Sequence, residues 1–318
     1  MRALWIENGL LRLRDDVARP APAGGEALVR VRLAGICNTD LELVKGYMPF
    51  RGVPGHEFVG TVESAPGYEE WVSRRVVGEI NAVCGSCEMC LRGWPRHCEQ
   101  RTVLGIAERD GAFAEFLCLP VANLHSVPDA VGDDVATFVE PLAAALEVQE
   151  QVPIRSGDQV VVIGDGKLGQ LVAAALVVAG VRLTLVGREA RQRPLLAPHG
   201  IASVPSSALA ERRADVVVEC TGNPEGLALA LRLVRPRGTV VMKSTYATVT
   251  ELNASVIVVD EITLVGSRCG PFAAALDLLA TGKIDPLPLV TARYPLEQGV
   301  EAFAQAARPG VGKVLLAP

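Results

Sequence analysis

Two short runs near the start of the chain bring together side chains that could do chemistry: Gly35-Ile36-Cys37-Asn38-Thr39-Asp40 and Gly55-His56-Glu57. Thiol, imidazole and carboxylate are the donors that zinc favours in proteins. Taken alone, the same residues describe a buried cysteine beside a satisfied core histidine equally well. A second set is more specific. Cys84, Cys87, Cys90 and Cys98 follow the spacing C-x2-C-x2-C-x7-C. Four thiols in one short loop need only brief turns to converge on one ion, which is the pattern of a closed, tetrahedral, structural zinc site. Iron–sulfur clusters use similar spacings, but their Pro-flanked pattern is absent. A closed site stabilises a loop and leaves no position for a substrate. The first set differs: Cys37 and His56 could supply two ligands of a second zinc, and Glu57 and Glu140, the latter in Val139-Glu140-Pro141-Leu142, are candidates for the remainder. Three protein ligands with one exchangeable position is the catalytic form of zinc.

A third motif concerns a nucleotide. Val160-Val161-Val162-Ile163-Gly164-Asp165-Gly166-Lys167-Leu168-Gly169 reads as a strand ending in G-x-G-x-x-G and opening a helix. A further helix and strand complete the βαβ unit, the context in which that fingerprint binds a dinucleotide. Gly164 permits the tight turn, Gly166 lets backbone approach the pyrophosphate, and Gly169 lets the helix close on the sheet. Lys167 and Leu168 then open the helix, whose first amides face the phosphates. NAD sites place an Asp or Glu at the end of the second strand for the ribose hydroxyls. Here the residues are Gly187-Arg188, with Arg191 and Arg193 close behind. Guanidinium groups without a carboxylate suit a 2′-phosphate, so the expectation is NADP, with NAD as the alternative. A solvated surface cluster of arginines is the other reading.

These motifs need two kinds of scaffold. The chain has 318 residues, 49% hydrophobic and 21% charged, enough for two cores. A net charge of -5 and an aromatic content of only 4% argue against nucleic acid or an anionic membrane as partner. Residues 1–34 read as short strands, among them Glu26 to Leu33 with period-two alternation. More strand-like pieces follow at 58–63, 72–77 and 113–119, so the first third is β-rich and loop-rich. After about residue 140 short apolar runs alternate with helical stretches: 142–148 helix, 159–163 strand, 168–179 helix, then strands at 182–186, 215–219, 239–242 and 263–265. Such runs imply a parallel sheet covered on both faces. From Phe272 a helix, a Pro-rich link, a second helix and a closing strand at Lys313 to Leu316 are expected. The N-terminal residues lack the apolar stretch of a signal peptide. A cytoplasmic protein is therefore expected, in which the eight cysteines stay reduced.

Together the motifs resemble the zinc-dependent alcohol dehydrogenases of the medium-chain dehydrogenase/reductase superfamily, across essentially the whole chain. The resemblance rests on Gly35-Ile36-Cys37-x-Thr39-Asp40, Gly55-His56-Glu57-x-x-Gly60, the four-cysteine lobe, Glu140-Pro141-Leu142 and the glycine fingerprint. Glu140-Pro141-Leu142 is similar to the branch containing sorbitol, threonine and glucose dehydrogenases. The resemblance implies an α/β fold: a GroES-like catalytic domain at 1–141, a Rossmann domain at 142–268 and a return to the catalytic domain at 269–318. It implies a homodimer or homotetramer. It makes Cys37 and His56 catalytic zinc ligands, with Glu57 and Glu140 ligating directly or through the exchangeable position. Asp40 would orient the imidazole, Thr39 would relay the substrate proton, and Arg268 would meet the cofactor. Many relatives carry a His five residues after the catalytic Cys, where this chain has Glu42.

The expected activity is reversible hydride transfer between an alcohol, in the range of secondary alcohols, polyols and sugars, and NADP(H) or NAD(H). Two competing readings are a zinc-independent quinone or enoyl reductase of the same superfamily and a catalytically silent NADP-binding redox sensor. Cys37 with His56 counts against both. Cys118 and Cys220 read as small core residues.

Overall fold

The computed structural model describes residues 1–246 and 248–318, with Arg191 by its backbone alone. The chain divides into two compact units, Met1–Glu140 with Val290–Pro318, and Pro141–Leu289. The return to the first unit thus comes at Val290, not at 269 as expected. The stretch between belongs with the second unit and includes the helix Phe272–Ala280, whose Phe272, Ala275, Leu276 and Leu279 are buried.

The first unit is built on strand β1 (Glu26–Gly35), helix α1 (Asn38–Val44) and strand β2 (Glu57–Ser64). Alternation in β1 puts Leu28, Val29, Val31 and Leu33 inside and leaves Arg30 and Arg32 outside. β1 lies at the centre of a seven-stranded sheet, antiparallel to β2 on one side and to the closing strand Lys313–Ala317 on the other. The register sets Gly35 opposite Glu57 across one ladder and opposite Leu315 across the other. Three chemistry-bearing segments, far apart in sequence, therefore meet at one end of three adjacent strands. The closing strand also pairs in parallel with Val290–Pro295, where only a Pro-rich link was expected. Its residues alternate in exposure, and the pairing partner, not local propensity, makes the strand. The expected strand at 72–77 starts later, at Arg75, because Glu69–Trp71 forms a 3₁₀ turn.

The second unit is a parallel sheet of the doubly wound kind. Helix α2 (Val139–Gln151) leads into it, followed by β3 (Val160–Ile163), helix α3 (Lys167–Val178), β4 (Leu183–Gly187), β5 (Ala202–Pro205), β6 (Ala214–Glu219), helix α4 (Pro224–Leu233), β7 (Val234–Met242) and β8 (Thr263–Gly266). In space the strands run β5-β4-β3-β6-β7-β8 with parallel ladders throughout, and the short segment Arg191–Gln192 adds antiparallel to β5 at the edge. β3 is buried on both faces, as a central strand of such a sheet must be. One side of the core packs Val161, Ile163, Val217 and Val240 against Leu227, Ala230 and Leu233 of α4. The order reverses beside β3, which places its carboxyl end, and the glycine fingerprint, at the switch point where such sheets bind ligands. No helix among the described residues is long and apolar enough to cross a membrane.

Candidate metal and cofactor sites

The first cluster forms where β1 ends, α1 begins and β2 starts. Cys37 is the N-cap of α1, and the backbone N–H of Cys37 donates to Asp40 Oδ2 at 2.8 Å. Asp40 thus closes the first turn of its own helix. Its other oxygen, Oδ1, lies 3.3 Å from His56 Nδ1. The two are close, yet neither completes a well-directed hydrogen bond. With Nδ1 turned to Asp40, Nε2 of His56 is left for a metal, and one carboxylate steadies both the thiol-bearing backbone and the ring. Ligand atoms of Cys37, His56 and Glu57 all lie within 4.8 Å of one another. Glu140, in the first turn of α2, does not join the cluster at that spacing.

Buried, partnerless polar atoms are costly, and three gather here: Asp40 Oδ1, His56 Nδ1 and Glu57 Oε1. A cation between thiol, imidazole and carboxylate would satisfy Glu57 Oε1, while Asp40 Oδ1 and His56 Nδ1 face each other at 3.3 Å. This mixed donor set is one that zinc accepts. Burial alone would depress the His56 pKa, but the charges of Asp40 and Cys37 outweigh it and raise the pKa well above the ordinary 6.5. A metal at this ring therefore competes with a proton that Asp40 and Cys37 favour.

Lys313 supplies a cation that the motifs did not reveal. Its ammonium pairs with Glu57 Oε2, and the two side chains are only 2% and 1% exposed. The pair crosses over Gly35: a methyl group there would lie 2.6 Å from Glu57 Oε2 and 3.2 Å from Lys313 Cδ. Gly35 is a glycine because the ion pair occupies the place of its side chain. Burial pulls the Lys313 pKa down, but Glu57, Cys37 and Glu140 together raise it above 10.5. Thr39 Oγ1 stands 3.9 Å from Cys37 Sγ, beside the cluster. Glu42, at the position of the relay His of many relatives, is instead an ion-pair partner of Lys45 at 2.7 Å.

The four cysteines of the lobe close on one another. Sγ–Sγ distances are 3.6 Å for Cys87–Cys90, 3.8 Å for Cys87–Cys98 and 3.5 Å for Cys84–Cys98. These are far longer than a disulfide. They match the edge of a tetrahedron of sulfurs about 2.3 Å from a central zinc, which is roughly 3.8 Å. Backbone N–H groups of Ser86 and Cys87 point at Cys84 Sγ at 3.5 and 3.3 Å and lower its pKa to about 6. Desolvation and the neighbouring Cys87 sulfur push Cys90 up to about 12. Fold geometry thus prepares part of the thiolate set, and the metal must complete it.

In the second unit the fingerprint takes the form its glycines require. Gly164 turns with φ +99°, and a side chain at Gly169 would collide with the Gly164 carbonyl. Gly166, the N-cap of α3, has nothing within 4 Å of the place a Cβ would occupy. Backbone at the start of α3 is therefore open to a pyrophosphate, with Lys167 and Leu168 in the first turn.

Residues 23–129 match the alcohol dehydrogenase GroES-like domain, and residues 168–281 match the zinc-binding dehydrogenase family. The chain is 31% identical to an L-threonine 3-dehydrogenase of Streptomyces coelicolor over 99% of both sequences. It belongs to the zinc-dependent alcohol dehydrogenases of the medium-chain dehydrogenase/reductase superfamily. Among solved structures, a zinc-binding dehydrogenase from Sinorhizobium meliloti 1021 bound to NADP superposes with a TM-score of 0.88 at 30% identity, over 100% of this chain and 99% of that one. The rspB alcohol dehydrogenase of E. coli CFT073, complexed with NADH, gives 0.88 at 27% identity with the same coverage.

Within this dehydrogenase the arginines after β4 separate. Arg188 is exposed, the side chain of Arg191 lies outside the described residues, and Arg193 is half-buried in an ion pair with Asp165 of the fingerprint. Arg268, past the end of β8, is exposed, but its backbone is fixed from beneath. The buried Lys243 ammonium donates to Ala144 O at 2.6 Å, Arg268 O at 3.0 Å and Ser267 Oγ at 3.1 Å. Lys243, like Lys313, escaped the sequence reading. The signal was a lysine at the end of an apolar strand, which is costly to bury without acceptors. Burial pushes the thiols of Cys118 and Cys220 up to about 11 and 12, away from the thiolate form.

Proposed function

We propose that this dehydrogenase oxidises a secondary alcohol, polyol or sugar hydroxyl reversibly with a nicotinamide dinucleotide, as a homodimer or homotetramer. The observation that carries the reading is the cluster of Cys37, His56 and Glu57, with Glu57 Oε1 buried and unpartnered, in a chain that also keeps an intact dinucleotide fingerprint. Cys37, His56 and Glu57 would hold the zinc, with Glu140 close enough to Lys313 to influence the same charges. A zinc ion held there supplies Lewis-acid polarisation of the substrate hydroxyl. The nicotinamide, when bound, is the hydride acceptor, so the alcohol carbon loses a hydride and its oxygen loses a proton.

The remaining roles fall to side chains. Asp40 holds the Cys37 backbone and the His56 ring in one frame, so the donors need no rearrangement to act. Lys313 balances the negative charge of Glu57 and fixes its carboxylate from the side away from Oε1. Thr39 takes the proton of the substrate hydroxyl by hydrogen bond, a contribution of the general-base kind. Glu42 does not extend that path, since its carboxylate is held by Lys45. Arg268, its backbone steadied through Lys243, would meet the cofactor. Metal analysis joined to an alcohol screen tests the proposal. Two zincs per chain are expected, with mild chelation removing one and abolishing oxidation of polyols, sugars and secondary alcohols. A single, tightly held zinc and activity untouched by chelation would sink it.

A further inference from the structure

The residue that reads the adenosine ribose sits in an unusual place in this chain, and we infer that Asp165 is that residue and that it makes the enzyme prefer NAD over NADP. The inference rests on the dinucleotide reading above and deepens it. In a βαβ dinucleotide fold the acid that accepts the ribose hydroxyls stands at the end of the second strand. β4 ends here in Gly187, with no side chain to do so. The space is nonetheless filled by a carboxylate. A methyl group at Gly187 would collide with Asp165 Oδ2, and Ser203 Oγ would lie 3.1 Å away. Asp165 therefore reaches from the fingerprint turn across to the end of β4 and occupies the place of the missing acid. Gly187 is bare because Asp165 lies over it.

The arrangement is built, not incidental. Asp165 Oδ2 is paired with Arg193, and both side chains are 15% exposed. Gln170, 6% exposed, donates to the Asp165 carbonyl at 3.1 Å and accepts from Leu195 N–H at 3.4 Å. The fingerprint turn and the segment carrying Arg193 are thus tied to each other twice. The ion pair with Asp165 holds the guanidinium in this half-buried position, away from a phosphate. Its charge is already met by Asp165.

The consequence reverses what the run of arginines suggested. A 2′-phosphate would bring negative charge against the Asp165 carboxylate, a like-charge contact at low local dielectric, whereas ribose hydroxyls could donate to Asp165 Oδ1. Arg193 holds Asp165 in place, and by doing so is withheld from the phosphate. Among the described arginines after β4, Arg188 remains to attract NADP from an exposed position, and a solvated guanidinium does so weakly.

Equilibrium binding of NAD⁺ and NADP⁺ to the zinc-loaded enzyme, read by quenching of tryptophan fluorescence, tests this without turnover. The wild type should bind NAD⁺ about tenfold or more tighter than NADP⁺. Asp165→Asn, which keeps the shape and removes the charge, should weaken NAD⁺ several-fold and tighten NADP⁺ by roughly tenfold as Arg193 is released. Arg193→Met leaves the carboxylate uncompensated and should weaken NADP⁺ further while holding NAD⁺ within about threefold. A wild type that prefers NADP⁺, or an Asp165→Asn variant that loses both cofactors alike, would overturn the inference. Failure of the wild type to bind either would instead refute the dinucleotide reading beneath it.

Discussion

Replacing Lys313 by Met tests the frame of the metal cluster most directly. Met keeps the length of the apolar stem and removes the ammonium, leaving the Glu57 carboxyl without its partner in a site where its side chain is 1% exposed. Breaking a buried ion pair by deleting one partner costs about 3–5 kcal/mol, against roughly 0–1 kcal/mol for an exposed pair. No other cation is paired with Glu57 among the described residues, so the upper range is expected. Urea unfolding, with the catalytic metal removed by mild chelation, should show the first unit lose about 3–5 kcal/mol with little change in slope. Glu57→Gln in the Lys313→Met background removes the stranded carboxyl. The double variant should lose about as much as one single variant, a coupling of about 3 kcal/mol. The pH dependence has a definite sign. Burial lowers the Lys313 pKa, but Glu57, Cys37 and Glu140 raise it above 10.5 in the folded chain. A raised ammonium stabilises fully below its unfolded pKa and loses that contribution as pH climbs through the folded value. The gap between wild type and variant should therefore be flat through neutrality and close only above about pH 10. A loss under about 1 kcal/mol, or single effects that simply add, would refute the claim that this pair organises the site.

Other consequences can be checked alongside. The raised pKa of His56 stabilises the metal-free protein below pH 6.5 and is lost as pH rises through the folded value. Zinc rebinding at neutral pH should consequently release protons, detectable with a pH indicator, and weaken as pH falls. Cys98→Ser should lower zinc content by one per chain and open the 84–98 loop to limited proteolysis, because Cys98 is fully buried and contacts two of the other sulfurs. Lys243→Met should leave the Ala144 and Arg268 carbonyls short of a donor and weaken dinucleotide binding by about tenfold, with metal content unchanged.

What could be read in advance divides by the range of the interaction. Motifs confined to one turn were legible: the four cysteines, the glycine fingerprint, and Cys37 with Asp40, which share one helical turn and a hydrogen bond. Alternation in β1 and the apolar runs of the parallel sheet gave the two architectures, since burial pattern is itself a local record of the fold. The boundary at Val290 was missed because Val290–Pro295 becomes a strand only through its ladder with Lys313–Ala317. Lys313 was missed for the same reason at greater distance, its partner Glu57 lying 256 residues away in sequence.

The arginines after β4 show why counting charges is not enough. Arg188, Arg191 and Arg193 read as a phosphate site when charge alone is considered. Pairing decides what a charge can do, and the decisive partner, Asp165, belongs to a motif otherwise explained by its glycines. Two glycines share that logic. Gly35 and Gly187 each lie under a carboxylate from a neighbouring segment, Glu57 in one unit and Asp165 in the other. Each bare backbone position marks a place where a functional side chain from elsewhere has taken the room. A glycine at the end of a strand, with its own φ in the ordinary range, is therefore a pointer to a polar group crossing over it. Here that pointer leads to Glu57 and Asp165, the residues proposed to serve the metal and the cofactor.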